Sequence, residues 1–135
     1  MESKNKTKES IYLPVKHFPY LERYKSQFNL NEDDVAFPFK GKIYSNIELP
    51  LELLEHEKVH FKQQEEIGDE EWEEEYLTNP QFRVRMEVEA YNKQLSYFKQ
   101  NRDIFDAARM QIAKVLSSPM YGNILTYKEA YYLLK

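Results

Sequence analysis

The sequence predicts one compact, mainly α-helical (α+β) domain with a small β-hairpin. Three observations support this prediction: 135 residues suit one domain, most segments repeat apolar residues with a helical period, and one short stretch is rich in β-forming residues. The first ten residues, MESKNKTKES, are polar and are expected to form a disordered tail, residues 1–10. The domain is expected to cover residues 11–135, without an internal repeat or linker.

The first elements are short. Residues 11–34 contain two prolines and the run YLERYKSQFNL, which predicts an extended piece followed by one helix. Residues 35–46, VAFPFKGKIYSN, have β-rich runs on both sides of Lys40-Gly41, which predicts a hairpin. Pro38 favours a position at the edge of the sheet because proline has no N–H to donate.

A long helix is predicted from Pro50 to about Ile67, with Gly68 as its C-terminal stop. The sequence HEKVH, residues 56–60, lies inside this helix. The acidic stretch GDEEWEEEYL follows. It is typical of a solvated helix or turn, and the alternative is a contact surface for a basic partner.

Three capping signals predict the last helices. Asn79-Pro80 marks the start of a helix that runs to about Asn101. Asp103 can cap the next helix, which ends near residues 117–119. The apolar positions of that helix are Ile104, Ala108, Ile112 and Val115. Thr126 with Glu129 forms a capping box for a short final helix.

Composition excludes several classes of function. A net charge of -4 and a pI near 5.5 leave no broad basic surface for nucleic acid. No apolar stretch is long enough for a membrane span, and the N-terminus lacks the apolar region of a signal peptide, so we expect a soluble protein that is not exported. Because the chain has no cysteine, a transition-metal site must use His, Asp or Glu.

HEKVH indicates a metal site. Residues four apart on a helix lie about 40° apart around its axis, so His56 and His60 can reach one ion, whereas Glu57 points about 100° away. A chance match with two ordinary histidines is the alternative. The face of the helix favours the metal, because both histidines share an inward apolar stripe. That stripe consists of Leu49, Leu53, His56, His60 and Ile67.

A catalytic zinc ion usually takes three protein ligands, and His17 is the only other histidine. A carboxylate is therefore the expected third ligand, and the next helix offers Glu87 and Glu89. Glu87 shares its stripe with Val84, Tyr91, Leu95 and Phe98. Glu89 shares a polar face with Arg85, Asn92, Lys93 and Ser96. Glu87 is thus the predicted ligand of Zn²⁺; the alternative is that it pairs with a buried Arg or a Tyr hydroxyl.

HEKVHFKQQ followed by EVEAY resembles the gluzincins, in which an HExxH helix is completed by a glutamate on the next helix. The ordered set IYSN, HEKVHFKQQ, NPQFRVRMEVEAY and SSPMYGN is similar to small predicted metallopeptidases of bacteriophages and bacteria. The resemblance covers roughly residues 33–130 and implies a zincin-like domain. It implies that His56, His60 and Glu87 bind zinc and that Glu57 is catalytic.

One departure and two further expectations accompany this resemblance. Tyr91 stands where larger gluzincins have an Asp that supports a ligand histidine. Zincins place an edge strand beside the active-site helix, and the 35–46 hairpin can serve for an extended substrate. Tyr121 is the candidate donor to the oxyanion, with a packed aromatic as the alternative.

The predicted function is a zinc-dependent metallopeptidase in which Glu57 acts as general base on water. Its partners would be a peptide or protein substrate and a phage or host protein, without nucleic acid or membrane. It would be cytoplasmic in a bacterial cell or associated with a virion. The alternatives are a zincin-fold protein that binds zinc without useful turnover, as a phage structural or assembly component, and an acidic interaction module.

Overall fold

The computed structural model describes residues 10–135. The predicted disordered tail therefore lies outside the described residues, apart from Ser10. Six α-helices and one three-stranded sheet make up the described chain, so the predicted mainly α, α+β class is confirmed. No helix in residues 10–135 combines the length and apolarity needed to cross a membrane.

The sheet is small and has the strand order β1-β3-β2. Strand β1 (Tyr12–Leu13) pairs in parallel with β3 (Lys42–Ser45), and β2 (Ala36–Phe39) pairs antiparallel with β3. Lys40 and Gly41 connect β2 to β3 with φ values of 52° and 77°, as a two-residue hairpin turn of type I′ requires. The predicted hairpin is confirmed, and Pro38 lies in the edge strand β2.

The helices follow the predicted order. Their bounds are α1 (Leu21–Gln27), α2 (Leu51–Ile67), α3 (Asp69–Thr78), α4 (Pro80–Leu95), α5 (Arg102–Leu116) and α6 (Tyr127–Leu133). Short 3₁₀ segments cover Val15–His17, Ser96–Phe98 and Pro119–Tyr121. Helix α2 begins directly after Pro50 and ends at Gly68 as predicted, and both partners of the Thr126–Glu129 capping box are present.

Two predicted boundaries are wrong. The helix predicted to reach Asn101 ends at Leu95 and tightens into the 3₁₀ segment. The cap of α5 is Asn101, whose side-chain oxygen accepts a hydrogen bond of 3.1 Å from the amide of Ile104. Asp103 lies in the first turn instead, where its charge favours the helix dipole.

The acidic stretch forms α3, which is not solvated on all sides. Gly68 has a φ of 112°, a conformation that side chains disfavour, and it separates α3 from α2. Four side chains of α3 are buried, namely Trp72, Glu73, Tyr76 and Leu77. Its opposite face carries exposed glutamates. The predicted solvated helix is thus correct for one face only.

Helix α4 lies between two apolar clusters and packs against α2. One cluster joins α1, the sheet and α3, and the other joins α4, α5 and α6. Of the predicted inward stripe of α2, His56 and His60 are buried, but Ile67 at the end of the helix is 41% exposed. The α2–α4 contact therefore brings HEKVH to the face of α4 that carries Glu87.

Arg83 in α4 is buried, and within the described residues its side chain donates hydrogen bonds only to backbone carbonyls. It donates to the oxygens of Tyr76 (2.7 Å), Leu77 (3.2 Å) and Met120 (2.6 Å). The first two are carbonyls at the end of α3, where the partial charge is negative. Arg83 thus fastens the end of α3 to the segment that carries Tyr121.

Candidate metal centre

Three buried side chains meet between α2 and α4. Nε2 of His56 and Nε2 of His60 lie 3.0 Å and 3.2 Å from Oε1 of Glu87. One ligand atom from each residue lies within 4.8 Å of the others, so the three residues could hold a metal ion. The structure therefore brings together the three predicted ligands. It leaves His17 exposed on the 3₁₀ segment Val15–His17.

The other ring nitrogens of the two histidines both contact glutamine amide oxygens. Nδ1 of His56 lies 2.9 Å from Oε1 of Gln94, and Nδ1 of His60 lies 2.8 Å from Oε1 of Gln63. An amide oxygen only accepts hydrogen bonds, so each Nδ1 must carry a proton. A proton on Nε2 is then donated to Glu87, and a metal ion that displaces this proton would meet the Nε2 lone pair directed at the third candidate ligand, as coordination requires.

The orientation of the Gln63 amide is determined by its other contacts. Its Nε2 donates to the backbone oxygen of Met86 (3.1 Å) and to Oε1 of Glu89 (2.8 Å). Its Oε1 accepts a second hydrogen bond from Nε1 of Trp72 at 3.1 Å. The indole nitrogen can only donate, so the oxygen of Gln63 must face His60. Glu89 is exposed as predicted, and it also supports this arrangement.

We expect Gln63→Ala to weaken binding of a metal ion, tested with zinc, by about 10–100-fold, because His60 loses the acceptor that holds its tautomer. Competition between the protein and a zinc-binding dye measures the affinity. Gln111→Ala, at an exposed position of α5, is the control and should match the wild type. Equal affinity of Gln63→Ala and wild type would show that the amide does not orient the ligand.

Glu87 has partners on both carboxylate oxygens. Its Oε2 accepts a hydrogen bond of 2.6 Å from the hydroxyl of Tyr76, so the predicted alternative of a tyrosine partner is present together with the histidine contacts. Burial raises the pKa of Glu87, but the charge of His60 and hydrogen bonds from both histidines outweigh it and hold the pKa well below its usual value. Burial lowers the pKa of His60, while Glu87 raises it to about 9. These shifts favour an ionised Glu87 beside a protonated His60.

Glu57 lines the same cavity as the three ligands, and the cavity measures about 220 Å³. Its side chain is buried and its Oε1 has no hydrogen-bond partner. Burial raises the pKa of Glu57, and the neighbouring histidines oppose this shift. A buried carboxyl oxygen without a partner is costly, so this atom is suited to a group that enters the cavity.

Tyr121 is both a packed aromatic and a residue of the cavity wall. Burial raises its pKa well above the usual value, so its hydroxyl remains protonated at neutral pH and can donate a hydrogen bond. The rings of Tyr91 and His56 pack edge to face, with ring centroids 4.6 Å apart. Gln94, rather than Tyr91, accepts from the Nδ1 of His56.

Sequence reasoning missed the two supporting glutamines. Gln94 follows Glu87 by seven residues and so lies on the same helical stripe, and Gln63 follows His60 by three. Both positions were accessible to the helical projection that identified Glu87. Polar residues beside a ligand stripe are the signal that would have found them.

Glu73 is a further buried carboxyl in the cavity wall. Its Oε1 accepts from the hydroxyl of Tyr24 at 2.6 Å, and its Oε2 lies 3.5 Å from Nε2 of Gln64. Burial raises the pKa of Glu73 to about 8, although the Tyr24 hydrogen bond and His60 oppose the shift. Glu73 is therefore mostly protonated at neutral pH in the folded protein.

We expect Glu73 to make stability fall as pH rises. In the unfolded chain this carboxyl ionises near pH 4.5, whereas in the folded chain it keeps its proton to about pH 8. Its contribution to the free energy of unfolding is full below pH 4.5 and is lost as the pH rises from 4.5 to about 8. By linkage, this loss is on the order of a few kcal/mol at most. Denaturant unfolding of metal-free protein from pH 5 to 8 should show a flatter profile for Glu73→Gln than for wild type or Glu75→Gln. Parallel profiles would contradict the raised pKa.

No protein-family model matches this chain, and neither a curated protein nor a solved structure proved similar to it. The zincin-like fold and the gluzincin resemblance thus stay predictions, and function must be argued from the geometry of the site.

Proposed function

We propose that the chain is a zinc-dependent metallopeptidase. One observation carries the proposal: His56, His60 and Glu87 converge on one point, and the unpartnered carboxyl oxygen of Glu57 lies in the wall of the same cavity. Two histidines and one glutamate, with a general base beside them, are the parts of a hydrolytic zinc site. The family resemblance of the HEKVH segment agrees with this proposal.

The donor set fits zinc. Imidazole nitrogens and a carboxylate oxygen suit Zn²⁺, and three protein ligands leave a coordination position free for catalysis. The Gln63 and Gln94 contacts, which direct both Nε2 atoms toward Glu87, support the same assignment. A bound zinc ion would supply a Lewis acid that lowers the pKa of water to about 7.

The chain's own residues would share the remaining tasks. Oε1 of Glu57 would take a proton from the attacking water and deliver it to the nitrogen of the leaving amine. Gln63 and Gln94 would hold the ligand rings, and the Tyr121 hydroxyl would donate to the oxygen of the substrate carbonyl as charge develops on it. Burial of the Glu57 carboxyl supports its role, because a raised pKa makes it a better proton acceptor.

The edge strand β2 contributes Ala36, Phe37 and Pro38 to the cavity wall, which supports a peptide as substrate. Pairing along this edge is limited, however. Pro38 has no N–H, and its carbonyl already accepts a hydrogen bond of 2.7 Å from Nε2 of Gln64. We therefore infer that side-chain contacts within the cavity, more than backbone pairing, hold the substrate.

The acidic interaction module receives less support. The exposed face of α3 carries Glu70 and Glu74, but both already form ion pairs, with Lys40 and Arg23. Exposed pairs of this kind are weak, yet they reduce the charge available to a partner. A phage structural role without turnover would keep the metal ligands and require nothing of Glu57.

Metal analysis of the purified chain and a peptide-cleavage screen test the proposal together. We expect about one zinc ion per chain, and cleavage of library peptides that a chelator stops and added zinc restores. A metal content near zero after purification with zinc would refute the metal site. Stoichiometric zinc without cleavage of any peptide or protein in the screen would refute the peptidase and favour the structural role.

A further inference from the structure

Glu73 lacks a positive partner. It lines the cavity from α3, and its polar contacts come from Tyr24 and Gln64. Within residues 10–135, no Lys, Arg or His side chain forms an ion pair with it. The adjacent Gln64 has a buried Oε1 without a partner. A carboxylate buried this deeply is unfavourable unless a cation reaches it.

The negative charges that line the cavity can accommodate one more cation besides a metal ion. Within residues 10–135, its ionisable lining consists of three carboxyl groups and two ligand histidines, together with four tyrosines, but no Lys or Arg. A divalent ion on the metal ligands would balance the charges of Glu57 and Glu87. The ionised form of Glu73 would then lack a counter-charge. A singly charged cation in the remaining space would restore neutrality.

Aromatic rings complete the surroundings of Glu73. Trp72 and Tyr76 stack with ring centroids 4.8 Å apart, and both line the cavity with Tyr24 and Phe37. Aromatic faces attract ammonium and guanidinium groups. The cavity of about 220 Å³ holds roughly seven water molecules at about 30 Å³ each, which is enough for an aliphatic chain with a charged end.

We propose that Glu73, Tyr24 and the adjoining aromatic rings form a subsite for a protonated amine or guanidinium group of the substrate. If the chain cleaves peptides, as the proposed function on which this inference rests requires, it would prefer a substrate with a Lys or Arg side chain close to the cleaved bond. Glu73 would release its proton to solvent as the cation enters and would then form a salt bridge with the amine, whose aliphatic stem would lie against the rings.

Trp72 offers a direct measurement, because it is the only tryptophan of the chain and lines the cavity. Its fluorescence can be followed while the full chain is titrated with n-butylammonium chloride, with 1-butanol as the neutral counterpart and sodium chloride as the salt control. We expect the ammonium ion to bind at least about tenfold more tightly than the alcohol. Equal affinities of the wild-type protein for the ammonium ion and the alcohol would by themselves overturn the proposal.

Two variants locate the effect. Glu73→Gln keeps an oxygen for the Tyr24 hydroxyl but removes the charge, so we expect it to lose the preference for the ammonium ion. Glu75→Gln makes the same substitution at an exposed position of the same helix and should keep the preference. Circular dichroism checks that both variants fold. A preference that persists in Glu73→Gln would show that the cation binds elsewhere.

Matched peptides with lysine or norleucine separate this inference from the peptidase proposal. Tighter ammonium binding that needs Glu73, without cleavage of either peptide, would support the subsite and count against the peptidase. Equal cleavage of both peptides, with equal binding of ammonium and alcohol, would support the peptidase and overturn the subsite. Faster cleavage of the lysine peptide, lost in Glu73→Gln, would support both.

Discussion

Glu87→Ala is expected to abolish stoichiometric zinc binding. Oε1 of Glu87 is the meeting point of both histidine Nε2 atoms, so its removal leaves two ligands and an open coordination sphere. We expect the affinity for zinc to fall by at least about 100-fold, measured by metal analysis after dialysis and by competition with a zinc-binding dye. Glu89→Ala should lose less than about tenfold, because Glu89 acts only through Gln63.

Folding must be checked in the same experiment. Glu87 also accepts the Tyr76 hydrogen bond, and its loss leaves a buried hydroxyl without a partner. Glu87→Gln keeps an oxygen for Tyr76 while removing the negative charge, so it separates metal loss from unfolding. Wild-type zinc binding in folded Glu87→Ala, or a larger loss in Glu89→Ala, would refute the ligand assignment.

Glu57→Gln is expected to stop peptide cleavage while zinc remains bound. The amide cannot accept the proton of the attacking water, and general-base catalysis of this kind contributes about 10²–10⁴-fold. We therefore expect kcat to fall by that factor with little change in KM. The zinc content should stay near one per chain, because Glu57 forms no hydrogen bond to His56, His60 or Glu87.

Glu66→Gln is the matched control, since Glu66 is exposed on the same helix, outside the cavity lining. It should keep the wild-type rate. Cleavage at an unchanged rate in Glu57→Gln would show that another group activates the water. Loss of zinc from this variant would show that Glu57 supports the metal site rather than the proton transfer.

Local signals in the sequence account for much of the fold. Gly68 ends α2 and Lys40-Gly41 forms the hairpin turn, because these positions have positive φ values that few residues adopt. Pro50 directly precedes α2, where its missing N–H costs no helical hydrogen bond. The helix boundaries that were predicted wrongly lie where more than one residue could cap the helix. Asn101 and Asp103 are both good N-caps by residue type, so residue type alone does not decide which of them begins α5.

In the candidate site, too, some residues could be predicted from local signals in the sequence and others could not. The HEKVH spacing together with helical periodicity identified His56, His60 and Glu87, because all three lie on inward faces. The position of Gln63 beside this stripe was open to the same projection, but the partners of Gln63 and Glu73 could not be assigned in this way. Their roles depend on the approach of α4 and α1 to the buried faces of α2 and α3, which is a contact between distant parts of the chain. Periodicity predicts which face is buried, but not which polar partner meets it.

The hydrogen bond between Gln64 and Pro38 has a consequence for how copies of this protein behave toward one another. An open sheet edge is a template on which a strand of a second molecule can grow, and many proteins protect such edges against aggregation. Here the outermost strand offers a proline without a donor and a carbonyl that α2 has already occupied. The helix that carries the two histidines thus also occupies part of the β2 edge, which disfavours strand pairing with a second molecule at this edge.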